Sequence, residues 1–258
     1  MGFDCPTLCS LLTPYARLFN ERFCTLAYRT IEPSQQGRSP MSSAIWLLSY
    51  RLATATRDDY LQWFHEVHVA EKLARPGYSW AAHYQMLDCE SSKSSDPYYI
   101  AMFGGVTPRV FLDPSPAQLK LRQSGLTKDM MGCRVDARST VYCEEWASRG
   151  AQLGALPGQA VAASFIRVEF FHACGHDEDL SSWCAQEHMP HFAGSDGCVA
   201  SRKMIASAGA PRHAVLHEFA SEAAARCIAA AEPDSEWRRR VDAQVQRPLG
   251  VARLGQRL

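Results

Sequence analysis

The chain repeats itself at a fixed offset, and this internal repeat constrains its fold more than any other feature. Shifting the sequence by 120 positions places Trp63 on Trp183. The same shift places Tyr50 on Phe170, and no gap is needed between residues 43 and 86. Each copy of such a repeat is a supersecondary unit that must bury its open face against the other copy. The repeat therefore predicts a two-fold architecture.

Composition excludes several classes of partner. The chain has 258 residues, of which 47% are hydrophobic and 21% charged, as in ordinary globular proteins. Lysine and arginine (27) balance aspartate and glutamate (27), so no net charge attracts nucleic acid or an anionic membrane surface. The basic run at 237–240 has acidic neighbours and is predicted to be a solvated helix face. No apolar run approaches the roughly 18 residues of a membrane span, so we expect no membrane partner.

Cysteines and glycines argue against a cofactor. The ten cysteines are scattered without a C-x-x-C pair, which predicts neither a zinc site nor a disulfide framework and favours a reduced, cytoplasmic location. The sequence lacks the glycine-rich loops that bind nucleotides and the G-x-S-x-G turn of serine hydrolases. We therefore expect no bound cofactor.

The repeat divides the chain into four parts. Residues 1–42 have no counterpart in the second half and are predicted to be a disordered N-terminal extension. Residues 43–148 form the first repeat, and residues 161–258 form the second. The segment between them, 149–160, is rich in glycine and nearly uncharged, as is typical of a linker.

Each repeat shows the order strand, helix, strand, strand, helical region, strand. The predicted strands are 44–51, 80–86, 98–103 and 135–143, then 164–171, 199–205, 214–219 and about 250–254. Thr56 and Asp177 are the predicted caps of the first helix in each repeat. This β-α-β-β-α-β order predicts an α+β fold of tandem ferredoxin-like repeats. Packed face to face, the two sheets would form an intramolecular dimeric α/β barrel, a pseudo-dimer with helices outside and a cavity within. A further homodimer remains open.

The motifs resemble those of the EthD-like dimeric α/β-barrel proteins, in particular the tandem two-repeat fungal type. Residues 183–197 resemble that family's aromatic helix with Glu-His-x-Pro and a turn with glycine. The first repeat, residues 63–77, keeps the aromatic residues and His68 but has Val67 and Ala70 in place of the glutamate and proline. The resemblance implies the barrel fold, and an association with polyketide cyclisation, dehydration and decarboxylation in secondary metabolism.

Two histidines and a glutamate are the candidate catalytic residues. On a regular helix, His68 and His188 lie at the margin of the apolar stripe, where a partly buried imidazole can act as a general acid or base near neutral pH. The alternative is a core histidine that bonds to a backbone carbonyl. Glu187 precedes His188 and is predicted to orient it. The alternative for Glu187 is a salt bridge or cap that ties the helix to a neighbouring loop.

Polar and aromatic residues of the strands and helices are candidates for substrate binding. They are Tyr50, Trp63, Tyr84, Trp183, Arg202 and His217. They bind substrate only if the strand alternation turns them into the cavity, and the alternatives are surface placement for the charged residues and packing for the tryptophans. His217 and Glu218 are predicted to face opposite sides of their strand.

Two histidine spacings suggest metal binding without supporting it strongly. His65-x-x-His68 and His188-x-x-His191 each place two imidazoles on one helix face, but a third ligand is needed. The two pairs are not equivalent under the repeat alignment. We therefore expect no metal.

These observations predict a cofactor-independent small-molecule enzyme of secondary metabolism. It would be of the lyase or cyclase type, with proton transfer by histidine on an aromatic or polyketide-like substrate in the barrel cavity. A non-catalytic small-molecule-binding or stress-related scaffold is the alternative, so whether the chain is an enzyme stays open. A metal-dependent oxygenase is a weaker alternative.

Overall fold

The computed structural model describes residues 44–87, 96–150, 160–248 and 253–258. The predicted N-terminal extension and almost all of the predicted linker lie outside these residues. The strands are β1 (Ala44–Leu52), β2 (Tyr78–Met86), β3 (Tyr98–Gly105), β4 (Arg134–Arg149), β5 (Phe165–Phe171), β6 (Cys198–Ala208), β7 (His213–Phe219) and β8 (Arg253–Arg257). The helices are α1 (Thr54–Trp63), α2 (Val69–Leu73), α3 (Arg109–Leu112), α4 (Pro116–Lys120), α5 (Gly125–Gly132), α6 (Asp177–Trp183), α7 (Met189–Ala193), α8 (Glu222–Ala230) and α9 (Glu236–Gln244).

The strands form a closed antiparallel barrel in the order β1-β3-β2-β8-β5-β7-β6-β4. Residues 44–149 supply the neighbours β4-β1-β3-β2, and residues 165–257 supply β8-β5-β7-β6. Each set has the strand order of a ferredoxin-like sheet, in which the first and third strands are central. The fold is therefore an α+β barrel of ferredoxin-like sheets, in agreement with the predicted class.

Two seams join the sheets into one barrel. The long strand β4 pairs with β1 through residues 134–143 and with β6 through residues 141–149. The pairing with β6 contains register shifts at Val141/Tyr142 and Glu144/Trp146. On the other side, β8 pairs with β2 and with β5. Because both seams are hydrogen-bonded, no sheet edge of the barrel is left open.

The barrel interior is packed with side chains. Alternate residues of the strands of both halves form one buried apolar cluster, and Ile45, Leu47, Ile166 and Val168 belong to it. The sequence predicts a cavity between the two sheets, and this prediction is wrong because side chains fill that space. The large pocket of the protein lies on the helix-covered face of the first sheet instead.

The ungapped alignment of the repeats is wrong over the first strand of each half. Tyr50 packs beneath the helices with Tyr60 and Phe64, whereas Phe170 belongs to the barrel interior. Side chains alternate between the two faces of a strand, so a shift of one residue exchanges the faces. The pairing by an offset of 120 therefore fails at Tyr50 and Phe170.

The offset does hold for the helices, which contain a feature that the sequence did not predict. A π-helical turn, Phe64–His68, joins α1 to α2, and a second, Cys184–His188, joins α6 to α7. A π turn holds one residue more than an α turn, so residues five apart meet. The rings of Trp63 and His68 are 4.7 Å apart.

The helix starts differ slightly from the predicted caps. The helix α1 begins at Thr54, two residues before the predicted cap Thr56. Thr56 Oγ1 lies 3.4 Å from the carbonyl oxygen of Ala53 and caps no N–H group. Asp177 is the first residue of α6, and His176 occupies the cap position. Among the described helices, none has the length and apolar character needed to cross a membrane.

Candidate functional site

The largest described pocket lies in the first half, between the outer face of the sheet and the helices. It has a volume of about 500 Å³. Its floor comes from β1 and β4, one wall from the π turn and α2, and the opposite wall from α4 and α5. Part of the lining is apolar and includes Trp46, Leu48 and Met131. A concave, largely apolar site with a few polar groups is the usual form of a small-molecule site.

The polar lining of this pocket is almost entirely basic. The basic side chains are His68, Lys72, Lys120, Lys128, Arg134 and Arg138. The described lining contains no carboxylate. Opposite charge lowers the electrostatic free energy of a bound ligand, and the low-dielectric walls strengthen the effect. The pocket is therefore complementary to an apolar molecule that carries a negative charge.

His68 contributes a neutral imidazole to the pocket. Its side chain is buried against the rings of Trp63 and Phe64. Burial, together with the charges of Lys72 and Arg134, lowers the pKa of His68 to about 3. The ring is therefore unprotonated at neutral pH and can accept a proton.

Lys72 and Arg134 are the two cations that lower the pKa of His68 most strongly. The Lys72 ammonium lies 4.8 Å from the centroid of the Trp46 ring, and burial followed by the charge of Arg75 lowers its pKa to about 8. The Arg134 guanidinium lies 4.6 Å from the centroid of the Tyr50 ring and donates from Nε to Tyr60 at 2.6 Å. Both groups are positioned by aromatic side chains of the first half.

Three buried polar atoms of the pocket have no hydrogen-bond partner within the described part of the chain. They are His68 Nδ1, Gln123 Oε1 and Arg134 Nη2. A buried polar atom without a partner costs about 1–3 kcal/mol. These three atoms are therefore available to bind a polar group of a ligand or water in the pocket.

The corresponding region of the second half is filled by a charged network. His188 Nδ1 lies 2.8 Å from Glu232, and His188 Nε2 lies 3.4 Å from Glu169. The second oxygen of Glu169 accepts from Arg247 Nη1 at 2.6 Å. Arg167 Nε lies 3.4 Å from Glu169 Oε1. Glu169 and His188 are buried, so this half holds a buried ionic cluster where the first half has a pocket.

The two equivalent histidines differ in charge. Burial alone would lower the pKa of His188, but the carboxylates of Glu169 and Glu232 offset this effect and raise it. Burial likewise acts to raise the pKa of Glu169, while His188 and the neighbouring arginines hold it well below its usual range. The pKa of His217 is lowered far below normal by burial and by the charge of His188. The two carboxylates thus favour the protonated form of His188, whereas the surroundings of His68 favour its neutral form.

The predicted pairing of Glu187 with His188 is corrected. Glu187 follows the helix surface and accepts hydrogen bonds from Trp183 Nε1 at 3.2 Å and from the hydroxyl of Ser235. Ser235 caps α9, so Glu187 ties α6 to α9. Adjacent helical residues point in directions about 100° apart, which explains why Glu187 does not share the partners of His188.

The predicted substrate-binding residues lie in three separate places. Tyr50 and Trp63 pack beneath the helices of the first half. Trp183 and His217 pack beneath the helices of the second half. Tyr84 and Arg202 face the barrel interior, where the Tyr84 hydroxyl donates to the carbonyl of Ala163 at 2.8 Å. Arg202 donates to Glu144 at 2.7 Å and to Glu218 at 3.0 Å. No single pocket unites these residues, and His217 and Glu218 do face opposite sides of β7.

Sequence reasoning missed the residues that decide the character of each site. Lys72 lies one helical turn after His68, so the spacing could have identified it. Arg134 is the first residue of β4, and Glu232 lies two residues after the end of α8. The tertiary fold brings each residue to its site. No local pattern marks either residue.

Comparison of the sequence with protein-family models gives no match, and comparison with the curated proteins gives no significant match. Solved structures do match over most of the chain. An anthrone oxidase-like protein has 13% identity and a TM-score of 0.55, with 86% of this chain and 92% of that chain covered. A candidate monooxygenase from Fusobacterium nucleatum subsp. nucleatum ATCC 25586 has 7% identity and a TM-score of 0.53, with 85% and 94% covered. A mutant chlorite dismutase from Candidatus Nitrospira defluvii has 9% identity and a TM-score of 0.50, with 84% and 92% covered. At these identities the similarity shows a shared fold.

Proposed function

We propose that the protein is a cofactor-independent enzyme that moves a proton on an anionic aromatic or polyketide-like substrate bound in the pocket of the first half. The observation that carries this proposal is the pocket itself, in which a neutral buried imidazole faces an apolar surface ringed by cations. The reaction would be of the lyase or cyclase type, such as a dehydration or an intramolecular condensation. One protein that shares the fold is named anthrone oxidase-like, and an anthrone is an aromatic molecule.

His68 is assigned the proton transfer. Its unpartnered Nδ1 would accept a proton from a carbon next to a carbonyl group, leaving an enolate. Lys72 and Arg134 would stabilise the negative oxygen of that enolate. In a dehydration, the enolate would form a carbon–carbon double bond as the hydroxyl group departs, and the protonated His68 would give its proton to that group so that water leaves. In a cyclisation, the enolate carbon would attack a second carbonyl carbon of the substrate, and the protonated His68 would give its proton to the alkoxide oxygen formed there. Catalytic proton transfer of this kind is worth roughly 10²–10⁴-fold in rate.

Binding of the substrate would itself activate His68. In the free protein, burial and the charges of Lys72, Arg134 and Arg75 lower its pKa to about 3. An anion placed among these cations cancels part of their effect and raises the pKa towards neutrality, where a general base works best. His188 is less suited to this role because it is enclosed and ion-paired with Glu169 and Glu232.

We also interpret the two ferredoxin-like halves as a tandem duplication of the EthD-like kind, with repeats at 43–148 and 161–258. The strand order of each half and the two π turns at an offset of 120 support this interpretation. Under it, the barrel is an intramolecular pseudo-dimer in which the first copy has a pocket beside its histidine and the second copy has a charged cluster at the equivalent place.

The proposal is tested with an anionic aromatic probe and a carbon acid. Titration with 2-naphthoate, followed by tryptophan fluorescence, should show saturable binding, and the neutral 2-naphthamide should bind more weakly. Lys72→Met removes one charge but keeps an apolar side chain, so it should weaken 2-naphthoate binding by roughly tenfold and leave 2-naphthamide binding unchanged. Arg122→Met, on an exposed residue outside the pocket lining, is the control.

Proton transfer is measured as hydrogen–deuterium exchange at the carbon between the two carbonyl groups of benzoylacetate. His68→Gln should slow this exchange by roughly 10²–10⁴-fold, whereas His65→Gln, on the exposed side of the same π turn, should not. Exchange that is absent in the wild type, or equal in His68→Gln, contradicts the enzyme proposal. If 2-naphthoate still binds in that case, the second candidate holds, a non-catalytic protein that binds acidic aromatic molecules in the same basic pocket.

A further inference from the structure

Three side chains of the second half converge on one buried point. Glu169 comes from β5, His188 from the end of the second π turn, and His217 from β7. One ligand atom of each lies within 4.8 Å of the others, and all three residues are buried. None of these residues belongs to the pocket proposed for catalysis, so the cluster requires an explanation of its own.

The distances within the cluster fall into two groups. The outward bonds are short, because His188 Nδ1 lies 2.8 Å from Glu232 Oε1 and His217 Nδ1 lies 2.8 Å from Ser201 Oγ. The inward separations are longer, since His188 Nε2 lies 3.3 Å from His217 Nε2 and 3.4 Å from Glu169 Oε1. A well-formed hydrogen bond from nitrogen is about 2.9–3.0 Å long. The inner atoms are therefore held close together without being well bonded to each other.

The two separations from His188 Nε2, to His217 Nε2 and to Glu169 Oε1, fit the edges of a metal coordination shell, and the ligand atoms of Glu169 and His217 lie within 4.8 Å of each other. Zinc binds histidine nitrogen and carboxylate oxygen at about 2.0–2.1 Å, so two ligands of a tetrahedral ion lie about 3.3–3.4 Å apart. We propose that Glu169 Oε1, His188 Nε2 and His217 Nε2 bind one divalent transition-metal ion of the Zn²⁺ class. Two imidazoles and one carboxylate are a donor set that such ions favour.

The surroundings of the ligands support this assignment. A metal-binding histidine usually donates its other ring N–H group to a carboxylate or another fixed acceptor, which sets the tautomer and the ring orientation. Glu232 performs this role for His188, and the Ser201 hydroxyl does so for His217. The rings are also fixed by stacking, His188 on Trp183 at 4.4 Å and His217 on Phe192 at 4.0 Å.

The local charges permit a cation at this point despite the nearby arginines. Arg247 binds Glu169 through Oε2 at 2.6 Å, whereas Oε1 lies 3.4 Å from His188 Nε2 and has only a long contact of 3.4 Å with Arg167 Nε. Arg247 is itself paired with Asp242, and Arg167 lies within 3.6 Å of Glu232. The arginines are thus matched by carboxylates. Metal binding would displace the proton of His188, as it does whenever histidine becomes a ligand.

The proposed site differs from the two His-x-x-His pairs that the sequence suggests. His188 is shared, but its partner histidine is His217 of β7 rather than His191. A cavity of about 160 Å³ borders Arg167, whose Nε lies 3.4 Å from Glu169 Oε1. Arg167 thus contacts both this cavity and the cluster.

The test is metal binding by the purified full-length protein. After treatment with a chelator, the protein should take up close to one equivalent of Zn²⁺ and should give the d–d absorption of four-coordinate Co²⁺ when that ion is added. His217→Gln and Glu169→Gln each remove a ligand and should weaken binding by at least about a hundredfold, and Ser201→Ala should weaken it by roughly 10–100-fold. Thermal unfolding verifies that each variant is folded, and Ser201→Ala serves as the decisive variant if the other two are not.

His213→Gln is the matched control, because His213 is also a buried histidine of β7 but is paired with Lys203 and Asp177. It should bind Zn²⁺ as the wild type does. Uptake well below one equivalent would overturn the proposal. Equal uptake by the wild type, Ser201→Ala and the folded ligand variants would do so too, because the ion would then be held elsewhere, for example by cysteines.

Discussion

At the scale of single residues, equivalent positions have acquired opposite chemistry. His68 and His188 end the same kind of π turn and each stacks on a tryptophan five residues earlier. The first is close to cations, which lower its pKa, and the second is close to carboxylates, which raise its pKa. The sequence could identify both histidines as candidates. It could not predict these opposite shifts, because the carboxylates that act on His188, Glu169 and Glu232, are distant from it in the chain.

The neutral state of His68 predicts a dependence of stability on pH. The pKa of His68 is about 3 in the folded chain and about 6.5 when unfolded, so the unfolded chain binds more protons between these values. Its contribution is complete above pH 6.5 and is lost as the pH falls towards 3, by up to about 1.4 kcal/mol per pH unit. Urea unfolding at pH 7 and pH 5 should give a larger loss for the wild type than for His68→Gln. Equal losses would show that His68 titrates normally.

At the scale of elements, the strands followed from the sequence more reliably than the helices did. Runs of apolar and β-branched residues marked seven of the eight strands, although β4 extends well beyond the predicted 135–143. The last strand, β8, is largely polar and continues three residues past its predicted end at 254. The π turns were not predicted because the helical pattern was read at a constant 100° per residue. An extra residue in one turn changes that phase, which is why His68 is buried rather than marginal.

Removing one residue from the first π turn should therefore damage the pocket. Glu66 is exposed and accepts a hydrogen bond from Gln62, so its own contacts contribute little. Its deletion would restore an α-helical turn and separate the rings of Trp63 and His68. We expect a loss of roughly 1–3 kcal/mol in urea unfolding and loss of 2-naphthoate binding. Glu66→Ala keeps the turn and should resemble the wild type, and a deletion variant that still binds the probe would show that the turn is not required.

At the scale of the whole molecule, the order of elements was sufficient to predict a barrel but not the position of its pocket. Closure follows because two ferredoxin-like sheets each have a bare face to bury. Which face carries the pocket depends on the alternation of β1 and β5, and the ungapped repeat alignment assigned Tyr50 and Phe170 to the same face. A one-residue difference in a loop is enough to reverse that alternation, and composition does not reveal it.

Closure of the barrel depends on the short strand β8. It bridges β2 and β5, and Leu254 is buried there in a cluster with Phe192 and Phe219. Deletion of residues 253–258 should expose both neighbouring strand edges and lower the melting temperature by at least about 5 °C. Deletion of Leu258 alone removes a half-exposed side chain and should have little effect. A melting temperature that is equal in the two truncated chains would show that the seam contributes nothing to stability.

The filled interior of the barrel also determines the route by which a ligand would enter and leave the pocket of the first half. Side chains fill the described part of the barrel interior, so a ligand does not reach the pocket beneath α4 and α5 along the barrel axis. These two helices are short, and each begins with its own serine cap, Ser115 and Ser124. A ligand would therefore enter between these helices and β4, and we expect the rate of its exchange to depend on how readily the two short helices move away from the sheet.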